Sequence, residues 1–224
     1  MLTVSSTWQR AYPGAMLGIL AMQGVSNPDH DPALERHKAE LEQTLRSRYS
    51  GMTREDLLTT PILQAYRAYY KQFKKTYHVL LQLESVIFKD KPIASASTVV
   101  EATFMAELDT MLLTAIHDLD RIEAPLTMEI ATGEEEYTLL RGETHRCAAG
   151  DMIMRDRQGV ICSLIYGSDQ RTRIGSGTRN VLFAVYIPPG ISSQAVEAHL
   201  DVLERNIRMI APESSVSFRQ VYGE

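Results

Sequence analysis

Two short clusters of polar residues carry the side chains that could do chemistry in this chain. The first is His117-Asp118-Leu119-Asp120, where an imidazole stands beside two carboxylates. These groups could position a water molecule or receive a proton. The alternative is structural, because aspartate at a helix end often hydrogen-bonds the local backbone, and Asp120 could pair with Arg121.

The second cluster comprises Asp169, Arg171, Thr172 and Arg173. Arginine can hold a carboxylate or a phosphate through two parallel hydrogen bonds, and Thr172 adds a hydroxyl group. The alternative is an internal salt bridge between Asp169 and one of the arginines. The pattern therefore predicts either an anion-binding loop or a loop that is paired with itself.

Segment 159–186 must position the second cluster. Its two flanks are apolar and rich in β-branched and aromatic residues, which is typical of buried strands. A polar loop between two such strands is a common place for functional groups, whereas the alternative is a solvated hairpin loop. Tyr166 and Tyr186 are predicted at the edge of the core, with a substrate-stacking role as the alternative. Cys162 is predicted to be an inert core residue.

The first cluster follows a helix predicted over 97–116, which is apolar on most of its circumference and should therefore be central. Thr98 and Glu101 predict a capping box at its start. His145 and His199 are predicted to lie on the surface or on a helix face, without a role.

The remaining chain predicts helices first and most strands later. Helices are predicted at 31–49 (N-cap Asp31, then Pro32), 60–73 (opened by Thr60-Pro61), 77–89 and 192–210. Strands are predicted at 16–25, 127–131, 136–140, 152–155, 160–166, 181–187 and 216–222. Because no repeat or linker interrupts this order, we expect a single α+β domain over 1–224.

Charge and composition limit the function. The net charge is −5, yet residues 141–180 hold seven arginines, no lysine and four acids. Such a local patch could position a few phosphates but argues against an extended nucleic-acid groove. The absence of a phosphate-binding glycine loop, a metal-ligand cluster and a nucleophile elbow predicts no cofactor and no metal. With neither an apolar run of ~20 residues nor a signal pattern, we expect a cytoplasmic protein without membrane contact.

An ordered set of motifs resembles the B3/B4 domain, the editing module of the phenylalanyl-tRNA synthetase beta chain, which also exists as free-standing proteins. The motifs are YRA at 66–68, DLDRI at 118–122, GDMIM at 150–154, RTRI at 171–174 and TRNVLF at 178–183. The resemblance is best over 62–186 and extends over the whole chain. It implies an α+β fold with a β-sandwich-like core flanked by helices and no metal. In the synthetase, this domain hydrolyses tyrosine wrongly attached to the phenylalanine tRNA.

The resemblance implies that the chain binds the aminoacylated 3′ end of a tRNA and hydrolyses a misacylated ester. In this hypothesis His117 or Asp118 positions the attacking water, Thr172 hydrogen-bonds the ribose or the substrate, and Arg171 orients the carbonyl or the terminal phosphate. The other expected substrate-binding residues are Asp120, Tyr166, Asp169 and Arg173. The hypothesis requires a hollow of amino-acid size between the two clusters. The alternatives are a non-catalytic binder of tRNA ends or free amino acids, and a subunit that works beside a partner protein.

Overall fold

A computed structural model describes residues 2–223, in which most of the helices precede most of the strands of two main sheets. The helices are α1 (Ser6–Ala11), α2 (Pro32–Arg48), α3 (Arg54–Leu57), α4 (Pro61–Gln72), α5 (His78–Lys89), α6 (Thr98–Thr110) and α7 (Ser193–Ile210). The strands are β1 (Leu2–Val4), β2 (Met16–Gln23), β3 (Thr114–Asp118), β4 (Leu126–Ile130), β5 (Glu136–Thr138), β6 (Thr144–Arg146), β7 (Met152–Arg155), β8 (Val160–Ser163), β9 (Gly167–Ser168), β10 (Val181–Ile187) and β11 (Ser215–Tyr222).

The two main sheets share one hydrophobic core. One sheet has the strand order β1-β4-β7-β8-β9 and the other has the order β11-β2-β10-β3, while β5 and β6 form a separate pair. Strand β10 is buried along its whole length, as its uninterrupted apolar sequence predicts. The predicted α+β class, with sheets packed together and flanked by helices, is confirmed. The single-domain organisation stays a prediction.

Helix α7 packs directly on β2 because the strand carries a glycine at the crossing point. A Cβ atom on Gly18 would lie 2.8 Å from Val196 Cγ1, which is too close for carbon atoms. The predicted caps at this helix and at α2 are confirmed. Ser192 accepts a hydrogen bond from Ala195 N, and Asp31 accepts hydrogen bonds from Ala33 N and Leu34 N.

The prediction of one helix over 97–116 is wrong in its second half. Helix α6 ends at Thr110, Met111 adopts a left-handed conformation with φ of +63°, and the chain continues as β3. Glu107 Oε1 accepts a hydrogen bond from Thr114 N at 2.8 Å, which ties the end of the helix to the start of the strand. His117 and Asp118 therefore lie on a strand paired with β10, not at a helix end.

Two further local predictions near α6 also need correction. The N-cap is Ser97, without a side-chain cap, and Glu101 instead accepts hydrogen bonds from Ala96 N and Lys38 Nζ. His199 is fully buried, because its ring lies between Thr110 and Thr114 at hydrogen-bond distances of 2.6 and 2.7 Å. The histidine thus joins α7 to the α6–β3 connection.

The polar segment at 169–180 is not the loop of a hairpin formed by the strands predicted at 160–166 and 181–187. Strand β8 ends at Ser163, short of the predicted Tyr166, and the chain forms β9 before it crosses to the other sheet as β10. Residues 169–180 therefore bridge the two sheets. This placement brings the second polar cluster against β3.

Candidate functional site

The two polar clusters meet, and they bond directly to each other. Asp118 N donates to Thr172 O at 2.7 Å, and His117 Nδ1 lies 2.7 Å from Thr172 Oγ1. Strand β3 brings the first cluster to this point and the crossing loop brings the second. Because these contacts join the clusters, the predicted hollow between them does not exist within residues 2–223. The expectation that the clusters adjoin is confirmed, and the expectation of a gap is wrong.

His117 is neutral and sealed inside the protein. The Thr172 hydroxyl donates to Asp169 Oδ1, so it must accept its other hydrogen bond from His117 Nδ1–H. Burial lowers the pKa of His117 to about 3, and the nearby Arg171 acts in the same direction. Its Nε2 is buried without a hydrogen-bond partner among the described residues 2–223. This geometry favours a structural role for His117 and Thr172, and their catalytic roles stay predictions.

The two aspartates of the first cluster are engaged in local hydrogen bonds. Asp118 accepts from Thr178 Oγ1 at 2.7 Å and from Asp120 N at 3.1 Å, which starts a single 3₁₀ turn at Leu119–Arg121. Asp120 accepts from Asn180 Nδ2 at 2.9 and 3.0 Å. Arg121 pairs with Asp118 rather than Asp120, at 3.6 Å. The structural alternative considered for this cluster thus describes its hydrogen bonds better.

Arg171 is held by an acid that the sequence analysis missed. Its guanidinium donates to Asp156 Oδ1 at 2.8 Å and to Arg121 O at 2.9 Å, and it lies 3.7 Å from Asp169 Oδ2. The Asp156 side chain has no exposed surface. Arg171 and Arg173 also border an open groove of about 460 Å³ that β5 and the start of β8 line on its other sides. The charge of Arg171 is therefore balanced mainly by Asp156, outside the cluster, while the expected partner Asp169 makes only the longer contact.

Tyr166 lies apart from this network. Its ring packs on His145 with a centroid distance of 3.9 Å, and Lys75 Nζ lies 5.3 Å from its centroid. The structure therefore does not bring Tyr166 together with the other predicted substrate-binding residues. Its role at the substrate stays a prediction.

Thr172→Val should destabilise the protein by about 2 kcal/mol, because the change keeps the shape but leaves His117 Nδ1–H without its acceptor and Asp169 without a donor. Urea unfolding measures the difference. Thr172→Ser is the matched control, since it keeps the hydroxyl and should lose less of the free energy of unfolding. Equal losses for both variants would contradict a role for the hydroxyl network.

A cavity of about 110 Å³ lies between the sheets, one strand position away from His117. Helix α6, strands β3 and β10, and the β8–β9 hairpin enclose it. Its polar lining residues are His78, Glu107, Thr114, Ser163, Ser168 and Tyr186. The Tyr186 hydroxyl is buried and lies close to the Cys162 thiol, but no hydrogen bond of good geometry reaches it within residues 2–223. A buried unpartnered hydroxyl is costly, which makes the cavity a candidate ligand site.

Glu107 is the acid of this cavity. Burial raises its pKa to about 8, with the hydrogen bond from Thr114 N opposing the shift. The carboxyl group is therefore largely protonated at neutral pH and can donate a hydrogen bond. The sequence signal was an acid within the apolar run of the central helix. The apolar run by itself predicts only a core position.

The wall of the cavity near Ser163 is fixed by a second buried acid, Asp151. It accepts hydrogen bonds from Ser163 Oγ and from Tyr69 Oη, the latter at 2.5 Å, and burial raises its pKa to about 6. Cys162 lies beside it, and burial raises the pKa of this thiol to about 12. Such a thiol is a poor nucleophile at neutral pH.

A comparison with known proteins identifies the family of this chain. The family model described as the B3/4 domain matches residues 63–218, which is most of the chain. The chain belongs to the B3/4 domain family. An N-terminal fragment of the phenylalanyl-tRNA synthetase beta subunit from Pyrococcus horikoshii is similar over all of this chain and 54% of the fragment, with a TM-score of 0.50 and 13% identity. That likeness concerns the fold.

A sequence relative covers much less of the chain. The phenylalanine–tRNA ligase beta subunit of Mycoplasma pneumoniae is 29% identical over 69 residues, which are 31% of this chain and 9% of that protein. The B3/4 chain thus spans about half of the similar fragment and a small part of the curated relative. Among residues 2–223 no helix is long and apolar enough to cross a membrane. The same residues contain no group of three or more potential metal ligands.

Proposed function

We propose that this B3/4 protein hydrolyses the ester of a misacylated aminoacyl-tRNA and holds the amino-acid moiety in the cavity between the sheets. The observation that carries the proposal is the cavity itself, with a neutral Glu107 and an unpartnered Tyr186 hydroxyl. Family membership supports a tRNA-related role, because B3/4 is the editing-domain family of the phenylalanyl-tRNA synthetase beta subunit. A cytoplasmic location stays part of the proposal.

The reaction requires water to attack the ester carbonyl and the ribose oxygen to leave, which yields a free amino acid and a deacylated tRNA. Protonated Glu107 is suited to donate a hydrogen bond to the carbonyl oxygen as negative charge develops there. The Tyr186 hydroxyl is suited to bind the amino-acid moiety or the attacking water. Orientation by a few fixed groups accounts for catalysis without a covalent intermediate.

The residues predicted to be catalytic then act indirectly, by positioning the walls of the cavity. His117 lies two residues from Ala115 on β3, and the bonded pair Asp169–Thr172 adjoins Ser168; Ala115 and Ser168 both line the cavity. The hydrogen bonds between the clusters thus fix two walls of the cavity relative to each other. We propose His117, Asp118 and Thr172 as positioning residues in this sense, with Asp120, Asp169 and Arg171 supporting them.

Ala115→Leu should fill the cavity and lower kcat/KM for deacylation by about 100-fold, which corresponds to ~3 kcal/mol of lost transition-state binding. The measurement is release of radiolabelled amino acid from a panel of misacylated tRNAs. Ala115→Ser is the matched control, since it leaves the cavity open. No acceleration over buffer for any tRNA would overturn the hydrolase, and full activity of Ala115→Leu would overturn the cavity as its site.

A second candidate function is non-catalytic binding of a free amino acid. It is favoured by the observation that His117 Nδ1, Asp118 and Thr172 are engaged in hydrogen bonds within the protein, while Glu107 is largely protonated at neutral pH and is a poor base there. A thermal-shift series with free amino acids tests it, since a ligand at about 100 times its Kd adds ~3 kcal/mol to stability. Binding without hydrolysis, abolished by Ala115→Leu, would establish this alternative.

A further inference from the structure

The connection between α4 and α5 forms a concave basic surface. Arg67, Lys71, Lys74 and Lys75 line a depression of about 620 Å³, together with uncharged residues such as Gln64 and Thr76. All four cationic side chains belong to exposed residues. We call this surface the basic concavity. It contains no carboxylate among its lining residues, although Arg54 at its rim is paired with Glu84.

The positive charge of the basic concavity is not neutralised. Within residues 2–223, no carboxylate lies within 4.0 Å of Arg67, Lys71, Lys74 or Lys75, whereas Arg171 in the crossing loop is paired with Asp156. Residues 57–83 contain neither aspartate nor glutamate, although the whole chain has a net charge of −5. An acid-free segment on an acidic protein produces a local positive potential that attracts anions.

The backbone brings these cations together. Helix α4 is followed by Lys74 in the left-handed conformation, with φ of +55°, where glycine is usual. Lys74 N donates to Lys71 O and Lys75 N donates to Tyr70 O, both at 3.1 Å, so the chain reverses tightly at the helix end. The tight reversal places two lysines from the turn beside two cations from α4.

Consecutive residues line the basic concavity and the cavity of the proposed active site. Tyr77 lines the basic concavity, and the next residue, His78, lines the cavity between the sheets. Lys75 also contacts the ring of Tyr166, a partly exposed aromatic residue that packs on His145. Stacking of unpaired bases on aromatic side chains beside a basic groove is a common mode of single-strand binding.

We propose that the basic concavity binds the phosphodiester backbone of a single-stranded RNA end and directs it toward the cavity between the sheets. Its hollow shape fits a strand of linked phosphates better than a flat lipid surface, and its cations are spaced along a turn rather than gathered at one phosphate. The choice of RNA over an acidic peptide rests on the proposed function. The positive charge of the basic concavity and the position of its lining residues next to those of the cavity do not depend on the proposed function.

The test is fluorescence anisotropy with a labelled, non-acylated single-stranded RNA of about 12 nucleotides. Four phosphate contacts predict a slope near −3 for the logarithm of affinity against the logarithm of salt concentration, or roughly a fifty-fold loss between about 50 and about 200 mM salt. The triple variant Lys71→Gln, Lys74→Gly, Lys75→Gln should weaken binding by about a hundredfold at about 100 mM salt and reduce the slope by about 2.

The control variant makes the same charge change elsewhere, with Arg36→Gln, Lys89→Gln and Arg205→Gln at exposed positions. It should bind RNA as the unmodified protein does. Lys74→Gly alone should not lower the melting temperature, because glycine adopts the observed φ freely, so its loss of affinity cannot be attributed to unfolding. Melting curves of all variants check the fold.

No RNA binding at low salt, equal affinity of the triple and control variants, or equally tight binding of poly-glutamate would each overturn the proposal. Because the RNA probe carries no aminoacyl ester, the measured affinity does not depend on hydrolysis. Salt-dependent binding without deacylation would support the basic concavity and overturn the hydrolase. If the triple variant deacylates tRNA as fast as the unmodified protein, the hydrolase is supported and RNA binding by the basic concavity is overturned.

Discussion

Asp156→Ala should lower the free energy of unfolding by about 3 kcal/mol, a large effect for one side chain near the surface. The Asp156 carboxylate accepts from Glu123 N at 2.8 Å, from Gln158 N at 2.9 Å and from Arg171 at 2.8 Å, and its side chain has no exposed surface. Its removal leaves backbone donors and a guanidinium without their acceptor. The measurement is the urea midpoint at constant m-value.

Asp156→Asn is the matched control because it keeps the size of the side chain and one acceptor oxygen, while an amide NH2 replaces the other oxygen and the charge is lost. Burial alone would raise the pKa of Asp156, but the backbone hydrogen bonds and Arg171 outweigh burial and lower it below its usual 3.8. Because the pKa of Asp156 is lower in the folded protein than in the unfolded chain, its charge stabilises the fold at pH values above the ordinary pKa. This stabilisation is lost as the pH falls through the pKa of the folded protein. The unmodified protein should therefore lose its higher free energy of unfolding relative to Asp156→Asn at acidic pH. A loss below about 1 kcal/mol for Asp156→Ala would contradict the network.

Local signals predicted much of the fold, and long-range pairing accounts for the main error. Asp31 with Pro32 located the start of α2, and the apolar run at 181–187 located β10, because caps and burial patterns act within a few residues. Segment 111–118 has the same apolar character as the helix before it. It is a strand because β10, more than sixty residues away, offers it hydrogen-bond partners. No local pattern records that pairing.

The candidate site shows the same division. The sequence indicated that the two polar clusters belong together, and they do meet through His117 and Thr172. The sequence could not indicate that small polar side chains of the two clusters form hydrogen bonds with each other and leave no hollow between them. The cavity was missed because several distant elements line it, and its clue, Glu107, was visible only as an acid in an apolar helix. The clue to the basic concavity, the acid-free segment 57–83, was visible only as an uneven charge distribution.

The pH dependence of stability should identify Glu107 as a buried neutral acid. Its pKa in the folded protein is raised to about 8, against an ordinary value of 4.5. The folded state therefore retains a proton that the unfolded chain releases, and the stabilisation, complete below pH 4.5, is lost as the pH rises to 8. The slope approaches about 1.4 kcal/mol per pH unit, so the loss amounts to several kcal/mol.

Glu107→Gln should remove this loss, because the amide oxygen can still accept from Thr114 N while the side chain no longer ionises. Equilibrium unfolding between pH 5 and pH 9 should show the variant more stable at the alkaline end and equal at the acid end. Glu55→Gln, at an exposed position, is the control and should leave the profile unchanged. Parallel profiles for wild type and Glu107→Gln would show that Glu107 is ionised in the folded protein.

The range above pH 7 isolates this carboxyl group from the other buried groups. His117 and His199 have pKa values of about 3 and the pKa of His78 is lowered by burial, so these rings are neutral there. Asp151, at about 6, is ionised, and both thiols, at about 12, are protonated. If neutral Glu107 donates to the ester carbonyl, deacylation should fall through the same range in the wild type. Glu107→Gln, whose amide is a donor at every pH, should then keep a level profile, which a purely structural role of Glu107 would not produce.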